Sequence, residues 1–195
     1  MTAILKVDTI QDTAGNNIIN ESSDTITIGA SGDTITVPSG ATINLSNATQ
    51  TGVGGANTPF FLANKTAAQT LSSGTSTKVI GLADVYDTSS TFADNKFTPA
   101  VAGYYYLEGT TNVNIASAGK YLQSMIYKNG SLISWSQVVA EGTNNTYAST
   151  TSVIDLADTD DYYGLYIRQN TGGDVTINYD SSAKYTRFLG YKLIA

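Results

Sequence analysis

Apolar and polar positions alternate near the front of the chain in three short runs: Thr25-Ile-Thr-Ile28, Thr34-Ile-Thr-Val37 and Thr42-Ile-Asn-Leu45. A period of two predicts strands with one aliphatic and one polar face, and the Gly, Ser and Asp residues between the runs predict turns. Ile26 and Ile28, Ile35 and Val37, and Ile43 and Leu45 then share a side. Each unit, eight or nine residues long, is too short to wrap an interior of its own. Two arrangements would cover the aliphatics. In one, three chains wind together and each supplies one side of a triangular rung, with these six residues at the trimer axis and Gly-Ser corners between rungs. In the other, the runs form a three-strand meander folded onto the rest of the chain. Three rungs, spaced as strands are, would add only about 15 Å of height, so the segment is a short shaft or docking element.

From Phe60 onward the pattern becomes a series of short apolar runs between turn signals. TPFFLANK, TKVIGL, DNKFTP, AGYYYLEGTTNVNI, KYLQSMIY, SLISWSQVV, YASTTSVIDL, DYYGLYIRQ, DVTINY and TRFLGYKLIA follow one another. That is about ten strands at the spacing of a two-sheet jelly roll. Lys128-Asn-Gly130 reads as a tight hairpin, since Asn-Gly supplies the positive φ angles such a turn needs. No long stretch keeps a 3.6-residue apolar period. The expected fold is all-β: a C-terminal ten-strand jelly-roll sandwich, trimeric, preceded by a short intertwined trimeric β-segment.

Composition divides the chain. Residues 1–59 contain no aromatic side chain, whereas all thirteen tyrosines, all five phenylalanines and Trp135 come after them. Aromatics carry the largest burial per residue, so the front segment makes a poor core alone. The turn-rich stretch Thr51–Pro59 marks the boundary, giving a Thr/Ile-rich β-repeat segment over 1–58 and a head domain over 59–195. The chain has neither cysteine nor histidine, which excludes disulfides, thiolate chemistry, serine triads and the usual transition-metal sites. With a formal charge of −6 and Lys and Arg scattered singly, there is no basic stripe to hold nucleic acid. Asp8 and Asp12 stand where a secretion signal would need an apolar core, and no run is long enough for membrane insertion.

Three blocks in the second half resemble, in order, the globular head domain of complement, a relative of the tumour-necrosis-factor jelly roll. Phe97–Leu107, FTPAVAGYYYL, matches the signature Phe-turn-Pro-x-x-Gly-x-Tyr-x-Phe, with Leu107 in place of the usual aromatic. MIYKNGSLI matches the later Asn-Gly hairpin, and TRFLGYKLI matches the last strand through Phe188, Gly190, Tyr191 and Leu193. The resemblance covers roughly residues 60–195. It implies a homotrimer packed around a three-fold axis by aromatic faces, with Tyr105 and Leu107 pointing inward and Tyr104 and Tyr106 on the other face. It also marks Phe97, Tyr105, Leu107, Phe188 and Tyr191 as core or interface residues. The Gly-X-Y stalk that precedes such heads in animals is absent. The opening LKVDTIQDTAGNNII and the Thr-Ile repeats instead resemble N-terminal segments of structural proteins from tailed bacteriophages, particularly marine cyanophages.

Several residues invite a sharper reading. Asp158, Asp160 and Asp161 are the densest acidic cluster; they are a calcium site or, where Asp is favoured between two strands, a turn. Tyr104, Tyr106 and Trp135 are glycan-stacking or interface candidates, because aromatic residues are enriched in both settings. A carboxylate-only glycosidase using Glu108, Glu141 and the Asp158 cluster lacks any sign that two carboxylates face each other. The expected function is therefore non-enzymatic and cofactor-free: a virion structural protein, trimeric, at a fibre or fibre tip and presenting its head for host attachment. The alternative is a capsid decoration protein whose N-terminal arms grip the shell. Other virion proteins of tail or capsid, and a host surface glycan, are the partners either role implies.

Overall fold

The computed structural model describes residues 9–11, 13, 17–22, 25–28, 31–43, 57–179 and 185–193. The chain divides into two compact units, residues 1–51 and 52–195. In the first unit, β1 (Thr9–Gln11), β2 (Asn17–Ser22) and β3 (Thr25–Ile28) form an antiparallel meander in chain order. Ile10 lies opposite Ile19, and Ile19 opposite Ile28, so one aliphatic row crosses all three strands with its side chains exposed.

The first Thr-Ile run is thus a strand, but it pairs with the upstream β2 and not with the next repeat. The second and third runs carry no strand over residues 33–38 and 41–43 of the single chain. Turns around Gly32 and Gly40, both at positive φ, separate these stretches from β3 and from each other, and a strand needs a neighbour to take its hydrogen bonds. Ile26, Ile28, Ile35, Val37 and Ile43 all stand exposed in the single chain. Leu45 lies outside the described residues.

The second unit is built from β4 (Phe60–Lys65), β5 (Thr70–Leu71), β6 (Thr77–Lys78), β7 (Leu82–Asp87), β8 (Phe92–Ala93), β9 (Lys96–Phe97), β10 (Gly103–Ile115), β11 (Tyr121–Lys128), β12 (Ser131–Val139), β13 (Asn145–Ala157), β14 (Tyr163–Gln169), β15 (Val175–Thr176) and β16 (Arg187–Lys192). One sheet runs β13-β10-β16-β4-β7. The other runs β12-β11-β14-β9-β8, with β6 also on β14, and β15 pairs with β5. From β10 onward the chain passes between the two large sheets: β10 in the first, β11 and β12 in the second, β13 back in the first, β14 in the second and β16 in the first. Among the described residues there is no helix. Each predicted run contains a strand, but TKVIGL splits at Gly81, at positive φ, into β6 and the start of β7. The two-residue β5 and β8 are too short to show a period, and the mostly exposed LADVYD edge strand β7 has no apolar face to reveal it.

The hairpin predicted at Lys128–Gly130 joins β11 to β12, with Asn129 and Gly130 both at positive φ. Inward positions alternate along β10, where Tyr105, Leu107, Thr111, Val113 and Ile115 are buried. Between the sheets, Phe61 stacks on Phe97 at 4.5 Å and on Phe92 at 5.0 Å, and Phe188 meets its edge at 5.0 Å. Tyr105 and Tyr163 close the cluster around Phe97 at 5.4 and 6.2 Å. Gly190 lies between Leu107 and Phe61 in the cross-strand register, and a Cβ there would overlap the Leu107 side chain and come within 2.9 Å of the Phe61 ring. Buried hydroxyls are bonded to one another and to backbone, as in the contact of Thr111 Oγ1 with Ser124 Oγ and the bond from Ser124 Oγ to the Ser149 carbonyl, whereas the buried Asn64 Oδ1 has no partner. Lys65 is the exception in kind. It is 1% exposed, it has no carboxylate partner among the described residues, and its ammonium donates only to the Ile80 carbonyl. Burial lowers its pKa to about 8.

Two expectations follow from this interior. Gly190→Val forces a branched side chain into the Leu107–Phe61 contact and should cost about 1–3 kcal/mol or more, read as a lower urea midpoint at unchanged slope. The Lys65 ammonium loses its proton near pH 8 in the folded chain and near 10.5 in the unfolded one. The unfolded state therefore binds the extra proton between those values, and stability rises with pH. The gain from pH 8 to pH 10 should be about 2 kcal/mol in urea unfolding, and Lys65→Met should abolish it. An equal rise in the variant would assign the effect to other groups.

Candidate functional site

The inward parity of the five-stranded sheet fixes what its other side presents. With Tyr105 and Leu107 buried, Tyr104 and Tyr106 point outward from β10. Leu156 and Ile154 lie opposite them on β13, and Tyr191 lies opposite Tyr106 on β16, with Phe60 of β4 beyond. The next rung out carries Leu189, Leu62 and Tyr86 across β16, β4 and β7. Nine apolar or aromatic side chains thus form one continuous outward face. Tyr104 is 50% exposed, Ile154 60% and Tyr86 58%. Tyr106 and Tyr191 pack ring to ring at 5.4 Å, and Phe60 and Tyr86 at 6.3 Å. A shallow depression of about 350 Å³ lies between Phe60, Leu62, Tyr86, Leu189 and Tyr191. Polar groups border it: Glu108, opposite Leu189, accepts from the Tyr106 hydroxyl at 2.9 Å and pairs with Arg187 at 3.4 Å. Burial of this kind of surface against a partner is what a large uncovered apolar patch calls for.

The residues singled out in the sequence therefore fall into separate groups. Phe97, Tyr105, Leu107 and Phe188 are fully buried, and the Tyr105 hydroxyl is tied to the Val101 carbonyl at 2.6 Å. Tyr191 sits outside this core, on the outward face, because it is one residue past Gly190 and strand parity turns it over. Trp135 is parted from Tyr104 and Tyr106 altogether. It stands on β12 in the six-stranded sheet, 56% exposed and opposite Met125. The outward partners Phe60, Leu62, Tyr86, Ile154, Leu156 and Leu189 were not singled out. Alternation from the buried Phe188 would have turned Leu189 and Tyr191 outward, but Ile154 and Leu156 need the β10–β13 register.

The acidic cluster closes onto an internal cation. Lys128 Nζ lies 2.8 Å from Asp155 and 2.9 Å from Asp161. Asp161 also accepts from the Asp158 N–H at 2.8 Å and from the Asn129 side chain at 2.7 Å. Those bonds, the Asp158 N–H foremost, hold the Asp161 carboxyl below its ordinary range despite its partial burial. The Tyr163 hydroxyl donates to Asp155 at 2.6 Å; burial first and this carboxylate second push the phenol far above its usual value. Asp158 and Asp160 remain exposed. Among the described residues no three acidic side chains converge as metal ligands, and the position between Asp155 and Asp161 is taken by an ammonium. The geometry is that of a pinned turn between β13 and β14.

No protein-family model matches the chain, and no curated protein does. Solved structures do. Murine APRIL is 10% identical, with a TM-score of 0.54 over 69% of this chain and 98% of its own. Eiger, the tumour-necrosis-factor protein of S. frugiperda, is 8% identical, with a TM-score of 0.54 over 69% of this chain and 91% of its own. The second unit is a jelly roll of the tumour-necrosis-factor type. The globular domain of zebrafish complement 1qA also aligns, at 13% identity and a TM-score of 0.49 over 69% of this chain and 97% of that one.

Proposed function

We propose that this protein is a non-enzymatic structural protein that assembles as a homotrimer through the outer face of the β13-β10-β16-β4-β7 sheet. It serves as a fibre or fibre-tip component of a tailed-phage virion and presents the jelly-roll head for host attachment. The single observation that carries the assembly is the uncovered row of Ile154, Tyr106, Tyr191 and Phe60, which spans four strands and is bordered by Leu156, Tyr104, Leu189, Leu62 and Tyr86. A face this apolar is stable in water only when covered, and self-association about a three-fold axis is what the complement-head resemblance implies. The absence of histidine and cysteine from the sequence leaves no nucleophile–base pair of the common kinds, which supports a binding role. The virion assignment rests on the likeness of the opening segment to phage structural proteins.

A second reading, capsid decoration, draws on the first unit. Ile10, Ile19 and Ile28 make an exposed aliphatic row on a sheet of only three short strands, a surface suited to docking on a shell. Immunogold labelling of the parent virus separates the two: gold at tail or fibre ends supports attachment, and gold over the capsid supports decoration. The assembly is read independently. Light scattering should give three times the 20.5 kDa chain mass. Ile154→Asp, exposed in the single subunit and hence harmless to its fold, should give monomer at micromolar concentration, because it buries unpaired carboxylates in the contact. A wild-type monomer at all concentrations would overturn the trimer.

A further inference from the structure

The outer face of the six-stranded sheet differs in chemistry from the apolar face just described. Ser134 and Ser136 of β12 turn inward to hydrogen-bond Thr151 and Ser149, so Trp135 and Gln137 turn out. On β11 the buried Leu122, Ser124 and Ile126 leave Gln123, Met125 and Tyr127 outward. On β14 the buried Leu165 and Ile167 do the same for Gly164, Tyr166 and Arg168. The register then assembles rungs. Trp135, Met125, Tyr166 and Lys78 stand side by side across β12, β11, β14 and β6, and Gln137, Gln123 and Arg168 form the adjacent rung.

From this arrangement we propose a binding platform for an anionic saccharide, with Trp135 and the Tyr127–Tyr166 pair as ring-stacking surfaces and Arg168 as the partner of the saccharide's acidic group. Tyr127 and Tyr166 are already stacked at 4.1 Å with 26° between their planes. Their slab lies over Gly164, where a Cβ would come within 3.3 Å of the Tyr166 ring. Between Trp135 and Tyr166 on the same rung, Met125 is 3% exposed although it points outward, and the Ser76 hydroxyl lies against its sulfur at 3.9 Å. Rings of this kind take the C–H face of a sugar, an apolar surface edged by hydroxyls. The adjoining rung supplies what the hydroxyls need. Gln123 Nε2 donates to Gln137 Oε1 at 2.9 Å, which leaves Gln123 Oε1 and Gln137 Nε2 for an outside partner.

Charge selects an acidic sugar over a neutral one. The chain carries a net −6, yet the outward positions of β11, β12 and β14 named above hold no carboxylate. Arg168 makes no ion pair among the described residues, and because its Nε is buried, its two Nη groups are what it offers to an outside anion. A guanidinium left so is matched by a planar carboxylate or a sulfate, which it grips bidentately. Lys78 is already committed, since its ammonium donates to the Asp94 carbonyl at 2.9 Å.

The platform rests on the attachment reading only for where the saccharide comes from, and its test is separable from that of the trimer. Trp135 is the single tryptophan of the chain, so its emission, excited to the red of tyrosine absorption in the full-length protein, reports on this face alone. The full-length protein is screened on an immobilised panel of oligouronates, sialosides and sulfated oligosaccharides with their uncharged counterparts, and retained compounds are titrated in solution. At least one anionic saccharide should be retained and should shift or quench Trp135 emission, with its neutral counterpart about tenfold weaker or more. Arg168→Gln should erase that preference, Trp135→Ala should abolish retention, and Gln137→Ala, at an exposed position, should weaken it while circular dichroism stays unchanged. Emission unmoved by every charged saccharide at millimolar concentration, or retention that survives Trp135→Ala, overturns the proposal. A trimer by light scattering that ignores every saccharide would sink the platform and leave the assembly standing.

Discussion

Phe61 holds the two sheets of the head together. Its ring, from the five-stranded sheet, stacks on Phe92 and Phe97 of the other, while Phe188 closes on its edge from the neighbouring strand. Offset and edge-on ring contacts contribute roughly 0.5–1.5 kcal/mol beyond the burial of their area, so a cluster this dense dominates a domain of modest size. It also imposes a condition on its neighbours. The rung that carries Phe61 and Leu107 has no room for a third side chain, and Gly190 between them meets that condition. One constraint therefore fixes the composition of three adjacent strands at once.

The same constraint orients everything outside the core. Once Phe61, Leu107 and Phe188 point in, strand parity sends Phe60, Tyr106, Leu189 and Tyr191 out, and hydrogen-bonded registers carry that parity across to Ile154 and Leu156. In the other sheet the buried Ser124, Ile126, Leu165 and Ile167 turn out Gln123, Tyr127, Tyr166 and Arg168. Both sandwich faces are rich in rings, but they are not equivalent. On the first, tyrosines stand among Ile, Leu and Phe, and the charged pair Glu108–Arg187 is internally matched. On the second, rings stand beside amides and an unmatched guanidinium.

Much of the head was legible because its strands alternate strictly and its turn residues are specific. Tyr105 and Leu107 belong to a thirteen-residue strand whose burial alternates from Tyr105 to Thr111, and Asn129-Gly130 encodes its own backbone geometry. Phe61 was not singled out, because FFLANK offers two adjacent phenylalanines and only the sheet partner decides which turns inward. Trp135 was grouped with Tyr104 and Tyr106 for the same reason: residue type gives the chemistry of a ring, whereas the sheet it belongs to is a non-local fact. The Thr-Ile repeats show the converse. Their period is regular too, yet among the described residues only Thr25–Ile28 is a strand in the single chain, where β2 lies beside it. Alternation states which face a strand would have; hydrogen-bond partners decide whether the strand exists.

Charge placement follows the same logic of neighbours. Lys128 and Lys65 are both drawn in from solvent, but Lys128 reaches two carboxylates and Lys65 reaches a single carbonyl. The first is held charged by Asp155 and Asp161 against partial burial and pins the turn between β13 and β14, while the second is pushed toward its neutral form. Neither outcome is written in the residue type. Arg168 is the third case, and it differs because a guanidinium stays protonated whatever surrounds it. It cannot shed its charge as Lys65 does, and it has no acid of its own as Lys128 does. A cation that can neither neutralise nor pair within the described residues, at the edge of an aromatic surface in an acidic chain, is complementary to an anion from outside.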